Sequence, residues 1–220
     1  MNLVEYFHRG YIQNRRVRVL AEHLSPLIPQ DTTLLDVGCG DGRLSARILE
    51  SRVDTSIKGV DVLARSQSYF PVDLFDGQTI PTNDGSFDVV MFVDVLHHTE
   101  DPMILLREAA RVARRRIIIK DHLLDRPLAK PTLRFMDSIG NARYGVATPY
   151  NYWHERKWRQ AFQEVGLTVA YWKSDLQLYP KVLDVLFGGA LHFIARLDIK
   201  SPRNFDVVPA LKSPRETTAT

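Results

Sequence analysis

The chain of 220 residues has a single cysteine, Cys39, so no intrachain disulfide can form and nothing argues for an oxidising compartment. A cytoplasmic protein is expected. Long apolar runs are missing as well: the stretch that begins at Val89 is broken by Asp94, far short of the ~20 residues a membrane helix needs. No membrane span is expected. Glu5 and His8 interrupt the N-terminus, which therefore does not match the apolar core of a secretory signal. The net charge of +3 is too small a surplus to argue for nucleic acid, and no nucleic-acid recognition motif accompanies it. Hydrophobic residues at 45% and charged residues at 25% give an ordinary globular composition, which excludes disorder for most of the length. One domain over residues 1–200 is expected, followed by a polar, proline-containing stretch at 201–220 that reads as a flexible tail.

Apolar positions at helical spacing predict a leading helix over about 3–24, ended by Pro26 and Pro29. Then "TLLDV" reads as a strand, Arg43 to Ser51 as a helix and "IKGVD" as a second strand, a βαβ unit. "YFPVD" follows so soon that any helix before it is short or absent. "FDVVMFVD" and "RIIIKD" are buried strands by their continuous apolar character, with an amphipathic helix from Pro102 to Val112 between them. A helix near 130–139, a second over 155–165, and strands at "LTVAYW" and "LHFIARLDI" complete the pattern. Residues of about 124–154 carry Pro127, Pro131, Gly140, Gly145 and Pro149 among aromatic side chains and read as a lid-like insertion.

The most informative stretch is "LLDVGCGDGR" at 34–43, where an apolar strand ends at Asp36 and three glycines follow at alternate positions. A bare backbone at a strand end lets a ligand approach closely, and glycine also reaches positive φ. In a doubly wound sheet, ligands bind at the carboxyl ends of the strands, where this loop lies. The dinucleotide fingerprint G-x-G-x-x-G, counted from Gly38 and Gly40, needs a third glycine at position 43 and meets Arg43 instead. A nicotinamide-dependent oxidoreductase is thereby disfavoured.

"LLDVGCGDGRLS" resembles the first motif of class I S-adenosylmethionine-dependent methyltransferases. The resemblance continues through "GVD" at 59–61, "FDGQTIPTNDGSFDVV" at 75–90, "VLHHTEDP" at 95–102 and "IIIKD" at 117–121, and points to the small-molecule branch of that superfamily. It implies an α/β fold with a doubly wound, mostly parallel seven-stranded sheet, the Rossmann-like methyltransferase fold, whose last strand is antiparallel. S-adenosyl-L-methionine is the implied cofactor and S-adenosyl-L-homocysteine the product. By the same resemblance, Gly38, Gly40 and Gly42 admit the cofactor's methionine and ribose, and Asp36 helps orient its amino group. Asp61 accepts from the ribose diol, Asp76 or its competitor Asp73 takes the adenine amino group beside Gly77, and Asp94 and Leu96 line the methionine end. The segment from Asp61 to Asp73 is shorter than in typical relatives, which insert a full helix there.

Methyl transfer from a sulfonium is an in-line displacement, to which the protein contributes positioning and, for a phenol or alcohol, a general base. His122, at the end of the fifth strand, and His154, after "PYNYW", are the candidate catalytic residues. Adjacent His97 and His98 read as a structural or cofactor shelf. The spacing of these four histidines matches no compact ligand motif, so no metal is expected. Cys39 has no paired base, and "RVARRRIIIK" reads as a solvated helix end. The aromatic stretch at 141–158 fits either a lid over an apolar or aromatic acceptor or plain core packing. The leading helix, with Tyr11, Asn14 and Arg15, would cover the other side. A small-molecule methyl acceptor is expected, with a non-catalytic S-adenosylmethionine-binding protein and a methyltransferase acting on a macromolecule as the alternatives.

Overall fold

Three strands rich in β-branched and aliphatic residues form the centre of the molecule: β1 (Thr32–Val37), β4 (Phe87–Val93) and β5 (Ala113–His122). The computed structural model describes residues 3–141 and 149–199. These strands are apolar on both faces because both faces are covered. Leu35, Val37, Val90, Phe92, Ile117 and Ile119 pack on one side. Leu34, Val89, Met91 and Ile118, one residue out of phase, pack on the other.

The first face is covered by α3 (Pro102–Val112), whose Leu105, Leu106 and Ala109 are buried, and by α5 (Glu155–Glu164), which contributes Trp158 and Phe162. The second is covered by α1 (Leu3–Leu24), which buries Val19, Leu20 and Leu24 and packs beside α2 (Arg43–Leu49). Asp101 caps α3 by accepting the Met103 N–H at 2.9 Å, and Pro102 at the first turn needs no partner for a missing N–H.

With β2 (Thr55–Asp61), β3 (Val72–Leu74), β6 (Leu167–Lys173) and β7 (His192–Ile199), the sheet has seven strands in the order β3-β2-β1-β4-β5-β7-β6. All pairs are parallel except those made by β7, which runs antiparallel to both β5 and β6. The expected doubly wound sheet with an antiparallel last strand is therefore what forms. The chain moves outward from β1 in one direction to β2 and β3 and in the other to β4, so a crevice opens at the carboxyl ends of β1 and β4. Because β7 is reversed, its first residue, His192, stands at that same end, paired with His122.

As the sequence pattern implies, the connection from β2 to the three-residue β3 contains no helix. Two elements depart from that pattern. β5 begins at Ala113, directly after α3, so Arg114 and Arg115 are exposed strand residues rather than a helix end. A short helix, α6 (Lys181–Phe187), precedes β7. Between these, α4 (Ala129–Asn141) lies within the stretch expected to be a lid. Residues 142–148 of that stretch, and the tail expected at 201–220, lie outside the described residues. Among the described residues no helix is long and apolar enough to cross a membrane.

Candidate functional site

The glycine loop leaves β1 at Gly38, whose N–H donates to Val60 O on β2 at 2.7 Å. Gly38, Gly40 and Gly42 all have positive φ, yet their surroundings differ. A Cβ on Gly38 would stand 2.5 Å from Val95, and one on Gly42 would stand 2.5 Å from Phe70, so those two glycines are required by the protein's own packing. A Cβ on Gly40 would meet nothing within 4 Å. The middle of the loop therefore faces open space, the arrangement expected of a cradle for a ligand.

Two carboxylates brace this cradle. Asp61, 5% exposed at the end of β2, accepts the N–H of Gly40 at 2.8 Å and of Leu63 at 2.9 Å, one on each oxygen. Each oxygen retains a lone pair for a ligand hydroxyl. Asp36 is buried beneath the loop and accepts the Ser45 hydroxyl at 2.6 Å from the first turns of α2. Burial, with the neighbouring Asp61 charge, raises its carboxyl to about 7 against the opposing Ser45 bond. Burial likewise pushes the Cys39 thiol upward, which argues against a nucleophile.

The far side of the crevice holds Asp76 and Gly77. The Asp76 carboxylate accepts the N–H groups of Gln78 at 2.8 Å and Thr79 at 2.7 Å, and a Cβ on Gly77 would touch Val62, the residue after Asp61. The turn thus adjoins the end of β2. Asp73, its competitor, is paired with Lys58 at 2.7 Å on the exposed sheet edge.

Beyond β4 and β5 lies a buried cluster of ionisable side chains. Asp94, in the left-handed region with φ 57°, is ion-paired with Arg16 of α1 and Lys120 of β5. Burial opposes its charge, but Lys120 and Arg16 hold its carboxyl well below the usual range. Leu96 is fully buried, and its N–H donates to Asp121 at 3.1 Å. His97 Nδ1 lies 2.7 Å from the other oxygen of Asp121, while its Nε2 is 3.4 Å from Asp137 of α4, in ion-pair but not hydrogen-bond geometry. Against burial, Asp121 and Asp137 raise His97 to about 10, so the imidazolium sits between two carboxylates. The Tyr152 hydroxyl donates to Asp137.

His122 is 4% exposed, with Nδ1 3.3 Å from Asp121 and Nε2 3.7 Å from Asp94. Burial, then the His97 and Lys120 charges, depress its pKa and keep it neutral. For the same first two reasons His98 falls to about 4. Lys120 Nζ is also 3.3 Å from His192 Nδ1, and the His192 Nε2 approaches Phe187 O at 2.9 Å.

Of the expected site residues, the fold gathers Asp36, Gly38, Gly40, Gly42, Asp61, Asp76, Gly77, Asp94, Leu96 and His122 at the carboxyl end of the sheet. His154 is placed elsewhere: it precedes α5 with its side chain 60% exposed, 3.2 Å from Asp125. Trp153 and Trp158 are core residues, Trp158 donating to His122 O at 3.1 Å. The His97, Asp121 and His122 donors, and those of His97, His98 and Asp137, lie within 4.8 Å of one another, close enough for a cation. The His97 imidazolium already supplies positive charge between those carboxylates. Arg16, Lys120, Asp137, Tyr152 and His192 belong to the cluster without having been singled out by motif. Lys120 alone gave a sequence signal, a lysine inside a strand that is otherwise buried.

Residues 8–171 match the family model described as "Methyltransferase domain". Among curated proteins, the chain is 29% identical over 143 residues to the 27-O-demethylrifamycin SV methyltransferase of Amycolatopsis mediterranei, covering 54% of this chain and 52% of that protein. It is 28% identical over 147 residues to the 2-methyl-6-phytyl-1,4-hydroquinone methyltransferase of a Synechocystis species, covering 62% of this chain and 41% of that one. The chain thus spans about half the length of these relatives. A SAM-dependent methyltransferase structure from Thermotoga maritima superposes with a TM-score of 0.64 over 90% of this chain and 96% of that one at 19% identity, a likeness of fold. The open glycine cradle braced by Asp61 fits the cofactor of that superfamily, and the chain belongs to the methyltransferase-domain family of class I S-adenosylmethionine-dependent methyltransferases.

Proposed function

We propose that the chain binds S-adenosylmethionine at the glycine loop and catalyses methyl transfer to the hydroxyl of a small, apolar or aromatic acceptor, with His122 as the base. The observation that carries this reading is the neutral, buried His122 at the carboxyl end of β5, the same end of the sheet at which the glycine loop leaves β1. When bound, the cofactor supplies a methyl group on a sulfonium that is already a good leaving group. Asp61 would hold the ribose hydroxyls, Asp36 the ammonium, and Asp76 with Gly77 the adenine edge.

His122 Nδ1 stands 3.2 Å from His97 Nδ1 and 3.3 Å from Asp121; its hydrogen is assigned toward the Asp121 carboxylate, which leaves Nε2 as the acceptor on the Asp94 side. That nitrogen takes the acceptor's proton as the new oxygen–carbon bond forms. Protonated His122 is then stabilised by Asp121 and Asp94. The His97 imidazolium opposes premature protonation, keeping the base ready near neutral pH. The name of the Synechocystis relative, a phytyl-hydroquinone methyltransferase, favours an apolar aromatic acceptor.

Calorimetric titration with S-adenosylmethionine followed by labelled-methyl transfer to a panel of phenols and hydroquinones tests this reading. His122→Asn is expected to lower kcat by about 10²- to 10⁴-fold with cofactor affinity unchanged. Equal turnover by that variant removes His122 as the base, and cofactor binding without transfer to any acceptor favours a non-catalytic binding protein.

A further inference from the structure

Helix α6, "KVLDVLF", buries none of its residues. Val182, Val185 and Leu186, spaced i, i+3 and i+4, form an apolar stripe 81%, 70% and 55% exposed. On α4 the buried face is Ala129, Leu133 and Asp137, while Phe135 and Ile139, one turn apart, are 54% and 49% exposed. The two stripes belong to one surface: Phe135 and Phe187 stack with centroids 6.3 Å apart, and Arg126 donates to Val185 O at 2.8 Å. Leu128, next to α4, is 77% exposed and held at φ 61°, a conformation a leucine rarely adopts. Single exposed apolar residues are ordinary, but five large ones on two packed helices, with Leu128 beside them, make a patch that marks an interaction site.

The exposed charges on the two helices are cationic. Lys130, Arg134 and Lys181 are exposed on these same two helices. The acidic residues of these helices are less exposed: Asp137 is buried against Tyr152, and Asp184 is half-buried and accepts the Tyr179 N–H at 3.0 Å. Asp125 accepts the Glu155 N–H at 2.7 Å. An aliphatic centre with cationic neighbours is the composition of interfacial helices that lie on anionic lipid. The patch is also the outer wall of the site, because Asp137 on the inner face of α4 reaches toward His97 and Phe187 O meets His192.

We infer that the α4–α6 face docks on an anionic bilayer surface. Docking there places the crevice at the lipid boundary, where an apolar acceptor dissolved in the bilayer has a short path to His122. The surface itself does not depend on the reading of the chemistry, so vesicle binding and methyl transfer fail separately.

The test is sedimentation of the full chain with sucrose-loaded vesicles of phosphatidylcholine alone or with about 30% phosphatidylglycerol, an anionic surface on which each basic side chain is worth about fivefold in partitioning. Three cations predict about a hundredfold preference for the anionic vesicles, abolished by about 0.5 M salt. Val185→Asp with Leu186→Asp, both at exposed positions, should lower partitioning at least about tenfold with the thermal melt unchanged. Lys130→Glu with Lys181→Glu should remove most of the phosphatidylglycerol dependence. No binding to either vesicle, or equal binding by the aspartate variant, overturns the proposal. A dimer seen by light scattering and broken by the aspartate variant, without vesicle binding, assigns the face to a second copy and also overturns it.

Discussion

Asp36→Asn should stabilise the protein above neutral pH while weakening its hold on the cofactor. Asp36 is 3% exposed, and burial lifts its carboxyl from 3.8 to about 7. Between those values the folded protein holds a proton that the unfolded chain has released, so stability falls as pH rises through this window and the loss is complete above it. At about 1.4 kcal/mol per pH unit the full penalty is about 4 kcal/mol. Asparagine has nearly the same shape, does not ionise, and keeps an oxygen for the Ser45 hydroxyl. Its NH₂ group lacks a partner, which costs about 1–2 kcal/mol at every pH. The variant should therefore gain about 2–3 kcal/mol at pH 8, or a rise of roughly 4–10 °C in Tm. Urea unfolding of both proteins at pH 5 and pH 8 measures the difference, which should grow by about 2.5 kcal/mol between the two. A difference that does not change with pH would refute the claim that a buried, ionising Asp36 is a cost. Calorimetry on the same variant should show weaker S-adenosylmethionine binding, the trade of stability for function expected when a buried charge is kept for a ligand.

The glycines separate packing from binding. Gly40→Ala should cost only about 1 kcal/mol for its left-handed backbone yet lower cofactor affinity sharply by calorimetry. Gly38→Ala, whose methyl would collide with Val95, should depress Tm much more. The opposite order would place the ligand elsewhere. His97 should remain doubly protonated at pH 8 by ¹⁵N imidazole NMR while His98 and His122 are neutral. Its raised pKa contributes stability that is fully present below about 6.5 and lost as pH rises toward about 10. A neutral His97 signal at pH 8 would contradict the two-carboxylate arrangement.

Much of this fold was legible because each central strand is a continuous apolar run and α3 has a clean helical period with an Asp–Pro start. The cradle was equally plain, since glycines at alternate positions after a strand have few other uses. The expectation that Asp61 binds ribose comes from its place at the end of a motif, whereas its bracing of Gly40 and Leu63 depends on backbone positions that no local pattern encodes. The ion cluster was largely hidden for the same reason. Asp94, Lys120, Asp137 and His192 come from four separate elements, and only the reversed direction of β7 brings His192 opposite His122. Helix α6 is not legible because its seven residues make only about two turns, too short a window for the spacing of Val182, Val185 and Leu186 to establish a helical period. The aromatic stretch before α5 was ambiguous by composition, and tertiary packing resolved it by sending Trp153 inward and Tyr152 to Asp137.

The position of β7 also constrains the biosynthesis of this molecule. Among the described residues, β6 has no neighbour in the sheet except β7, and β7 is the last of the seven strands in chain order. A nascent chain that has emerged through β6 can pair β3, β2, β1, β4 and β5, but it leaves β5 as an open edge and β6 with nothing to join. Lys120 is then without His192, and an apolar strand edge is exposed to other chains. The sheet closes only when its final eight residues insert between two strands already present. The ribosome thus delivers a wedge rather than an edge, and until it arrives the unfinished domain is at its most vulnerable to aggregation.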